Sequence, residues 1–114
     1  MPGFEVWDIV KVPFPYTDRP VRQRRPALVI AAGELETAHE LLWLVMVTSA
    51  ANRGWPGDLL VSDVATAGLP IPSIIRPAKI ATIEARDAEP LGKLPPRDRR
   101  AVRRYLHELL SDID

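Results

Sequence analysis

The sequence contains no cysteine, and this absence removes several kinds of chemistry at once. Disulfide bonds, thiolate zinc sites and cysteine nucleophiles all depend on that side chain. The sequence also lacks any run of about 18 apolar residues, so no membrane span is predicted. Net charge is absent too, because 15 basic and 15 acidic side chains cancel. A surface coated with positive charge is therefore not expected.

A chain of 114 residues predicts one small domain, covering residues 1–114. Domains of this size bury roughly two-thirds of the surface of the extended chain, so association with a second copy is a natural way to cover the rest. The first residues show neither the basic region nor the apolar region of a secretory signal. Together with the lack of cysteine, this leads us to expect a cytoplasmic protein.

Several short segments have the patterns of β-strands. Residues 5–12 alternate polar and apolar side chains, which is typical of a half-buried strand. Two continuous apolar runs, residues 27–32 and 41–47, predict buried strands joined by a loop or a single helical turn. Further strands are predicted at residues 57–61, 73–76 and 79–83, with Pro77 separating the last two.

Two segments have helical features. Asp63 is placed to cap a short helix that runs through Ala67 and ends at Gly68. Pro96 precedes a longer segment in which apolar residues recur at spacings of three and four up to Ile113, while arginines occupy the opposite face. The sequence therefore predicts a mainly β protein, a small barrel or strongly bent sheet, with a C-terminal helix.

Arginines are concentrated in two places, four within residues 19–25 and five within residues 97–104. The first cluster leads directly into the strand that begins at Arg25, and the next long strand pattern stops at Thr48. We therefore expect a guanidinium and a hydroxyl to converge at one end of the sheet. That pair of groups suits a phosphodiester, because both donate hydrogen bonds to phosphate oxygens.

The order of these motifs resembles the PemK/MazF family of toxins from type II toxin–antitoxin systems, from about Trp7 to Leu110. The resemblance is carried by residues 7–10, 12–18, 24–30, 47–49, 68–69 and 73–77, and by the final helix. It implies the SH3-like barrel of the CcdB/PemK plasmid-maintenance toxins, as a homodimer. It also implies an endoribonuclease that needs no metal or cofactor, cuts single-stranded RNA such as mRNA at specific sequences, and is inhibited by a cognate antitoxin.

The same resemblance assigns roles to individual residues. Arg25 and Thr48 occupy the positions of the catalytic arginine and threonine. Contacts to the RNA are expected from Arg24, Arg76, Ser49, Thr17, Asp18 and Tyr16. Some relatives carry an acidic residue in the first loop near the position of Pro20, and some carry aspartate at the position of Ala78. A carboxylate base cannot be transferred from those relatives to this chain.

Cleavage of RNA by its own 2'-hydroxyl requires a proton acceptor, a group that stabilises the charge on phosphorus, and a donor to the leaving oxygen. Arg25 suits the second task, because its planar fork donates two parallel hydrogen bonds and stays charged. Thr48 can donate to a nonbridging oxygen or to the leaving oxygen. The acceptor stays open between water, the phosphate itself and Asp18. The products would be a 2',3'-cyclic phosphate and a 5'-hydroxyl.

Two other functions are known or conceivable for this fold. A topoisomerase poison of the same fold, resembling the CcdB branch, acts through a C-terminal tryptophan that this chain lacks. A non-catalytic SH3-like module that binds RNA or a peptide is disfavoured by the presence of both Arg25 and Thr48.

For the homodimer, we expect an interface at the strand of residues 41–47, at adjoining loops or at the final helix.

Overall fold

The computed structural model describes residues 3–14 and 23–113, and within them the strands form one six-stranded antiparallel sheet of order β4-β5-β3-β2-β1-β6. The strands are β1 (Asp8–Val12), β2 (Arg25–Ala31), β3 (Leu41–Ser49), β4 (Leu59–Leu60), β5 (Ser73–Glu84) and β6 (Glu89–Lys93). The α-helices are α1 (Gly33–His39) and α2 (Pro96–Leu109). Short 3-10 helices are Ala50–Asn52, Ala85–Asp87 and Ser111–Ile113. The predicted mainly β fold with a C-terminal helix is confirmed.

Alternate residues of the strands face two separate hydrophobic clusters, because successive side chains of a strand point to opposite faces. Along β2 and β3, Val29 and Leu44 belong to the first cluster, whereas Leu28 and Val45 belong to the second. All four are fully buried. Burial on both faces explains why these two strands are continuous apolar runs instead of alternating ones.

Helix α2 covers the second cluster, into which it inserts Val102. Its first turn is fixed by Asp98, whose carboxylate accepts hydrogen bonds from the backbone N–H and the hydroxyl of Ser62, both at 3.0 Å. None of the helices in the described ranges is long and apolar enough to cross a bilayer.

The prediction that Pro77 breaks the fifth strand is wrong, since β5 runs through it without interruption. The pairing with β3 shifts register at this point: Val45 lies opposite Ile80, but Met46 lies opposite Arg76. Residues 77–79 therefore have no partner in the ladder and form a bulge. Proline fits there, because a bulged residue does not need to donate a backbone hydrogen bond.

The predicted short helix after Asp63 is a hydrogen-bonded turn instead. The carboxylate of Asp63 accepts bonds from the N–H groups of Ala65 and Thr66 and from the Thr66 hydroxyl, at 3.1, 3.3 and 2.7 Å. These bonds keep the pKa of Asp63 below its ordinary value. The turn ends at Gly68, which has a positive φ of +72°. A Cβ added at this residue would lie 2.1 Å from the carbonyl oxygen of Leu91. Only glycine fits at this approach to β6.

Three other boundaries differ from the sequence-based predictions. The strand expected at residues 57–61 is only the two-residue β4, and the segment after β2 forms two helical turns, α1, where a loop or one turn was expected. Strand β6 was not predicted, because it contains Pro90 and Gly92. Its position at the edge of the sheet allows Pro90, since an edge strand has fewer ladder bonds to make. Gly92 lies where a Cβ would come within 2.5 Å of the Ala67 backbone.

Candidate functional site

Arg25 and Thr48 lie at the same end of the sheet, as expected. Strands β2 and β3 are antiparallel with Ala27 opposite Met46. Continuing that register by two residues along each strand brings the first residue of β2, Arg25, opposite Thr48 near the end of β3. Both residues line a cleft of about 290 Å³.

The rest of the cleft combines polar groups with apolar walls. Its polar side chains, besides Arg25 and Thr48, come from Lys11, Ser49, Asn52 and Ser73. Its apolar walls come from Pro26, Val47, Leu69, Pro70, Ile71 and Leu91. Within the described parts of the chain, no carboxylate or imidazole lines it. The cleft therefore presents two cations and several hydrogen-bonding groups, which is an arrangement suited to an anion.

Arg25 has few partners of its own. Its Nη2 donates a hydrogen bond of 3.1 Å to the side-chain oxygen of Gln23. Its Nε is buried and has no hydrogen-bond partner among residues 3–14 and 23–113, and no carboxylate of those residues forms an ion pair with it. A half-buried guanidinium without a counter-ion is ready to bind an anion from outside the protein.

The end of β3 is held by a tight turn. The Ser49 hydroxyl accepts a hydrogen bond of 3.2 Å from the Ala51 N–H and so caps the Ala50–Asn52 turn. The turn brings the Asn52 side chain back to Thr48, where its Nδ2 donates to the threonine Oγ1 over 3.1 Å. Sequence reasoning missed Asn52 because no known motif spacing relates it to Thr48.

Arg76 occupies a different environment from the one expected. Its side chain is buried and forms a two-pronged ion pair with Asp58, at 3.1 and 3.0 Å. It also donates a bond of 2.9 Å to the Asn52 carbonyl and lies 4.3 Å from the centre of the Trp55 ring. Arg76 does not line the cleft, so its predicted contact with substrate stays a prediction.

The carboxylate of Asp58 is stabilised in its charged form. Burial by itself would raise its pKa, but hydrogen bonds from Arg76 and from the Trp55 and Gly54 N–H groups outweigh that effect and hold the pKa of Asp58 below its ordinary value of 3.8. The whole loop between β3 and β4 is therefore organised around one nearly buried ion pair.

Arg24 also faces away from the cleft. Its Nη2 donates to the carbonyl oxygens of Lys11 and Asp87, at 3.0 and 2.8 Å, and lies 3.4 Å from the Glu89 carboxylate. These contacts tie β1 and β6 together, and the predicted RNA contact of Arg24 stays a prediction. Tyr16, Thr17 and Asp18 lie outside the described residues.

The arginines of α2 are used locally. Arg97 donates to the Ser62 hydroxyl at 2.7 Å, and Arg99 donates to the Leu94 carbonyl at 2.9 Å. The guanidinium groups of Arg99 and Arg103 lie 5.8 and 5.7 Å from the centre of the Trp7 ring. None of these three lines the cleft.

A second concave surface, the apolar groove, lies between the sheet and the end of α2, with a volume of about 570 Å³. Its most exposed apolar side chains are Trp43, Ile80 and Leu110, which are 46%, 48% and 52% exposed. Arg103 and His107 also line it. The groove is therefore an apolar surface that the described part of the chain leaves exposed to solvent.

The chain is similar in structure to several solved proteins. No curated protein sequence matches the chain. Among solved structures, MazF (Form-I) from Deinococcus radiodurans is 24% identical, with a TM-score of 0.77 over 97% of this chain and 99% of that one. A MazE-MazF complex from the same organism is 23% identical, with a TM-score of 0.73 over 96% of this chain and 97% of that one.

The Mycobacterium tuberculosis toxin MazF-mt6 is 18% identical, with a TM-score of 0.70 over 91% of this chain and 96% of that one. At these identities the likeness establishes the fold. The family is established independently, because residues 5–110 match the family described as PemK-like, MazF-like toxin of type II toxin-antitoxin system. This chain is therefore a member of the PemK/MazF toxin family.

Proposed function

We propose that this toxin is a sequence-specific endoribonuclease that cuts single-stranded mRNA in the cytoplasm without a metal ion. The observation that carries the proposal is the cleft in which Arg25, without a carboxylate partner among the described residues, lies opposite the hydroxyl of Thr48. Lys11 adds a second cation to the same cleft. These groups match the charge and the hydrogen-bonding needs of a phosphodiester.

In the proposed reaction, the 2'-oxygen attacks phosphorus, and the bond to the 5'-oxygen breaks. Arg25 donates to the nonbridging oxygens, whose negative charge increases in the transition state. Thr48 donates to a nonbridging oxygen or to the leaving oxygen. Since no carboxylate or imidazole of the described residues lines the cleft, the 2'-proton passes to water, to the phosphate or to Asp18, which lies outside them. The leaving 5'-oxygen takes up a proton from Thr48 or from water, so the products carry a 2',3'-cyclic phosphate and a 5'-hydroxyl.

The decisive experiment incubates the purified protein with a long RNA of defined sequence in EDTA and maps the new ends. Specific cuts with cyclic phosphate ends are expected for the native protein and should be lost in Arg25→Ala. Arg86→Ala is the matched control, because Arg86 is 79% exposed and pairs only with the nearby Glu84 carboxylate among the described residues. Equal activity of native protein and Arg25→Ala, or a strict requirement for magnesium, would refute the proposal.

We further propose that the toxin is a homodimer and that the apolar groove is covered by a second copy of the chain. The groove combines the strand of residues 41–47 with the final helix, the two elements expected at the interface, and its exposed apolar side chains would be hidden by association. Trp43→Glu should give a monomer by light scattering at micromolar concentration. Leu60→Glu, which changes an equally apolar and 59% exposed residue outside the groove, should leave the dimer intact.

The cognate antitoxin is proposed to inhibit by occupying the cleft with an acidic segment. The complex of MazE with MazF from D. radiodurans supports an antitoxin partner. Arg24 and Arg76 are engaged within the protein, so among the described residues the cations that the cleft offers to this segment are Arg25 and Lys11. Antitoxin and RNA should therefore compete. Tight antitoxin binding that leaves RNA cleavage unchanged would contradict this model of inhibition.

A further inference from the structure

Asn52 connects the buried ion pair of the loop to the hydroxyl of the cleft. Its backbone carbonyl accepts a hydrogen bond of 2.9 Å from Arg76, and its side-chain Nδ2 donates one of 3.1 Å to Thr48 Oγ1. Arg76 is fixed in turn by Asp58, and both of these side chains are only 8% exposed. The backbone of Asn52 is thus held by the nearly buried ion pair, while its exposed side-chain amide bonds to Thr48.

The direction of the hydrogen bond to Thr48 has a chemical consequence. A threonine hydroxyl has one proton to donate and two lone pairs that accept. Because Asn52 donates to one lone pair, the hydroxyl proton does not point toward Asn52 and is free for another acceptor. In a cleft that also contains Arg25 and Lys11, the acceptor of matching charge is a phosphate oxygen.

We propose that Asn52 is a positioning residue, which presets the Thr48 hydroxyl as a hydrogen-bond donor to the substrate phosphate. The inference rests on the proposed ribonuclease function and adds to it the residue that controls the direction of this hydrogen bond. Asn52 does not itself need to touch the RNA. Its contribution should therefore be seen in the rate of the chemical step and only when Thr48 is present.

The test is a double-mutant cycle on cleavage of a defined RNA. Asn52→Ala keeps the backbone carbonyl that Arg76 uses, so the fold and the thermal midpoint should be preserved. In the native background, loss of one positioned hydrogen bond should lower kcat about five- to tenfold, with KM changed less than about twofold. In the Thr48→Ala background, the same substitution should have almost no effect.

Two results of this cycle would overturn the proposal. One is a kcat in Asn52→Ala equal to that of the native protein. The other is an equal fall in both backgrounds, since Asn52 would then act without Thr48. In either case, if the native protein cuts RNA and Arg25→Ala does not, the proposed ribonuclease function is still supported.

A second measurement does not depend on activity. Asn52 is the only asparagine of the chain and Gln23 the only glutamine, so the side-chain amide region of an NMR spectrum has two assignable pairs of resonances. Thr48→Val should shift the Asn52 pair and leave the Gln23 pair in place, whereas Thr48→Ser should preserve both. If the native protein fails to cut RNA, the proposed ribonuclease function is refuted. If the amide resonances of Asn52 do not shift in Thr48→Val, the hydrogen bond between Asn52 and Thr48 is refuted.

Discussion

Arg25 and Arg76 were both expected to contact the RNA, but their surroundings predict opposite results for the same substitution. Arg25 forms one hydrogen bond to an exposed glutamine and no ion pair among the described residues. Arg25→Met should therefore change the free energy of unfolding by less than about 0.5 kcal/mol. Cleavage should fall by about 10²–10³-fold, the usual effect of removing a preorganised donor to a developing negative charge.

Arg76→Met should instead destabilise the fold. Its guanidinium makes three hydrogen bonds of 2.9 to 3.1 Å, two of them to the nearly buried carboxylate of Asp58. Removing one partner of a buried ion pair costs about 3–5 kcal/mol, and the lower end applies because Asp58 also keeps two backbone donors. For a domain of this size, about 3 kcal/mol lowers the thermal midpoint by roughly 10 °C.

The assay combines urea and thermal unfolding, followed by circular dichroism, with the initial rate of RNA cleavage at a temperature where both variants are folded. Arg25→Lys adds a second comparison, because it keeps the charge and loses the planar fork; its rate should stay close to that of Arg25→Met. A fully stable Arg76→Met would refute the reasoning on the ion pair. Native cleavage rates in Arg25→Met or Arg25→Lys would refute the assigned role of Arg25.

Three further predictions follow from individual contacts. Thr48→Ala should be impaired by about 10²-fold or more, whereas Thr48→Ser should keep part of the rate because it keeps the hydroxyl; single-turnover cleavage distinguishes the two. The pKa of Asp58 lies below 3.8, so the stability that this carboxylate contributes is present above about pH 4 and is lost as the pH falls further. Urea unfolding should thus show native protein more stable than Asp58→Asn at pH 7, with the difference shrinking at pH 3, and a constant difference would count against this account. Gly68→Ala should cost at least about 2 kcal/mol in the same assay, because the new Cβ would meet the Leu91 carbonyl at a positive φ; unchanged stability would mean that the turn can rearrange.

Local sequence patterns were sufficient for most of the fold. The alternation in β1 and the continuous apolar runs of β2 and β3 predicted strands because the pattern of burial repeats every two residues or covers both faces. The apolar residues after Pro96 predicted α2 because they recur at spacings of three and four, which place them on one face of a helix. Features that depend on a neighbouring strand were not predicted. The bulge at residues 77–79 arises where the pairing of β5 with β3 shifts its register. Strand β6 can contain a proline because it lies at the edge of the sheet.

The sequence by itself determined that Arg25 and Thr48 lie at the same end of the sheet, because the start of one strand is next to the end of the antiparallel strand that follows it. Only the tertiary structure decided which arginines stay available to bind a phosphate from outside the protein. The Asp58 carboxylate, 18 residues before Arg76, and the Asp87 backbone carbonyl, 63 residues after Arg24, are brought to these side chains by the folding of the sheet. An arginine looks the same in a sequence whether or not such a partner approaches, since these hydrogen bonds depend on contacts between distant segments and not on local pattern.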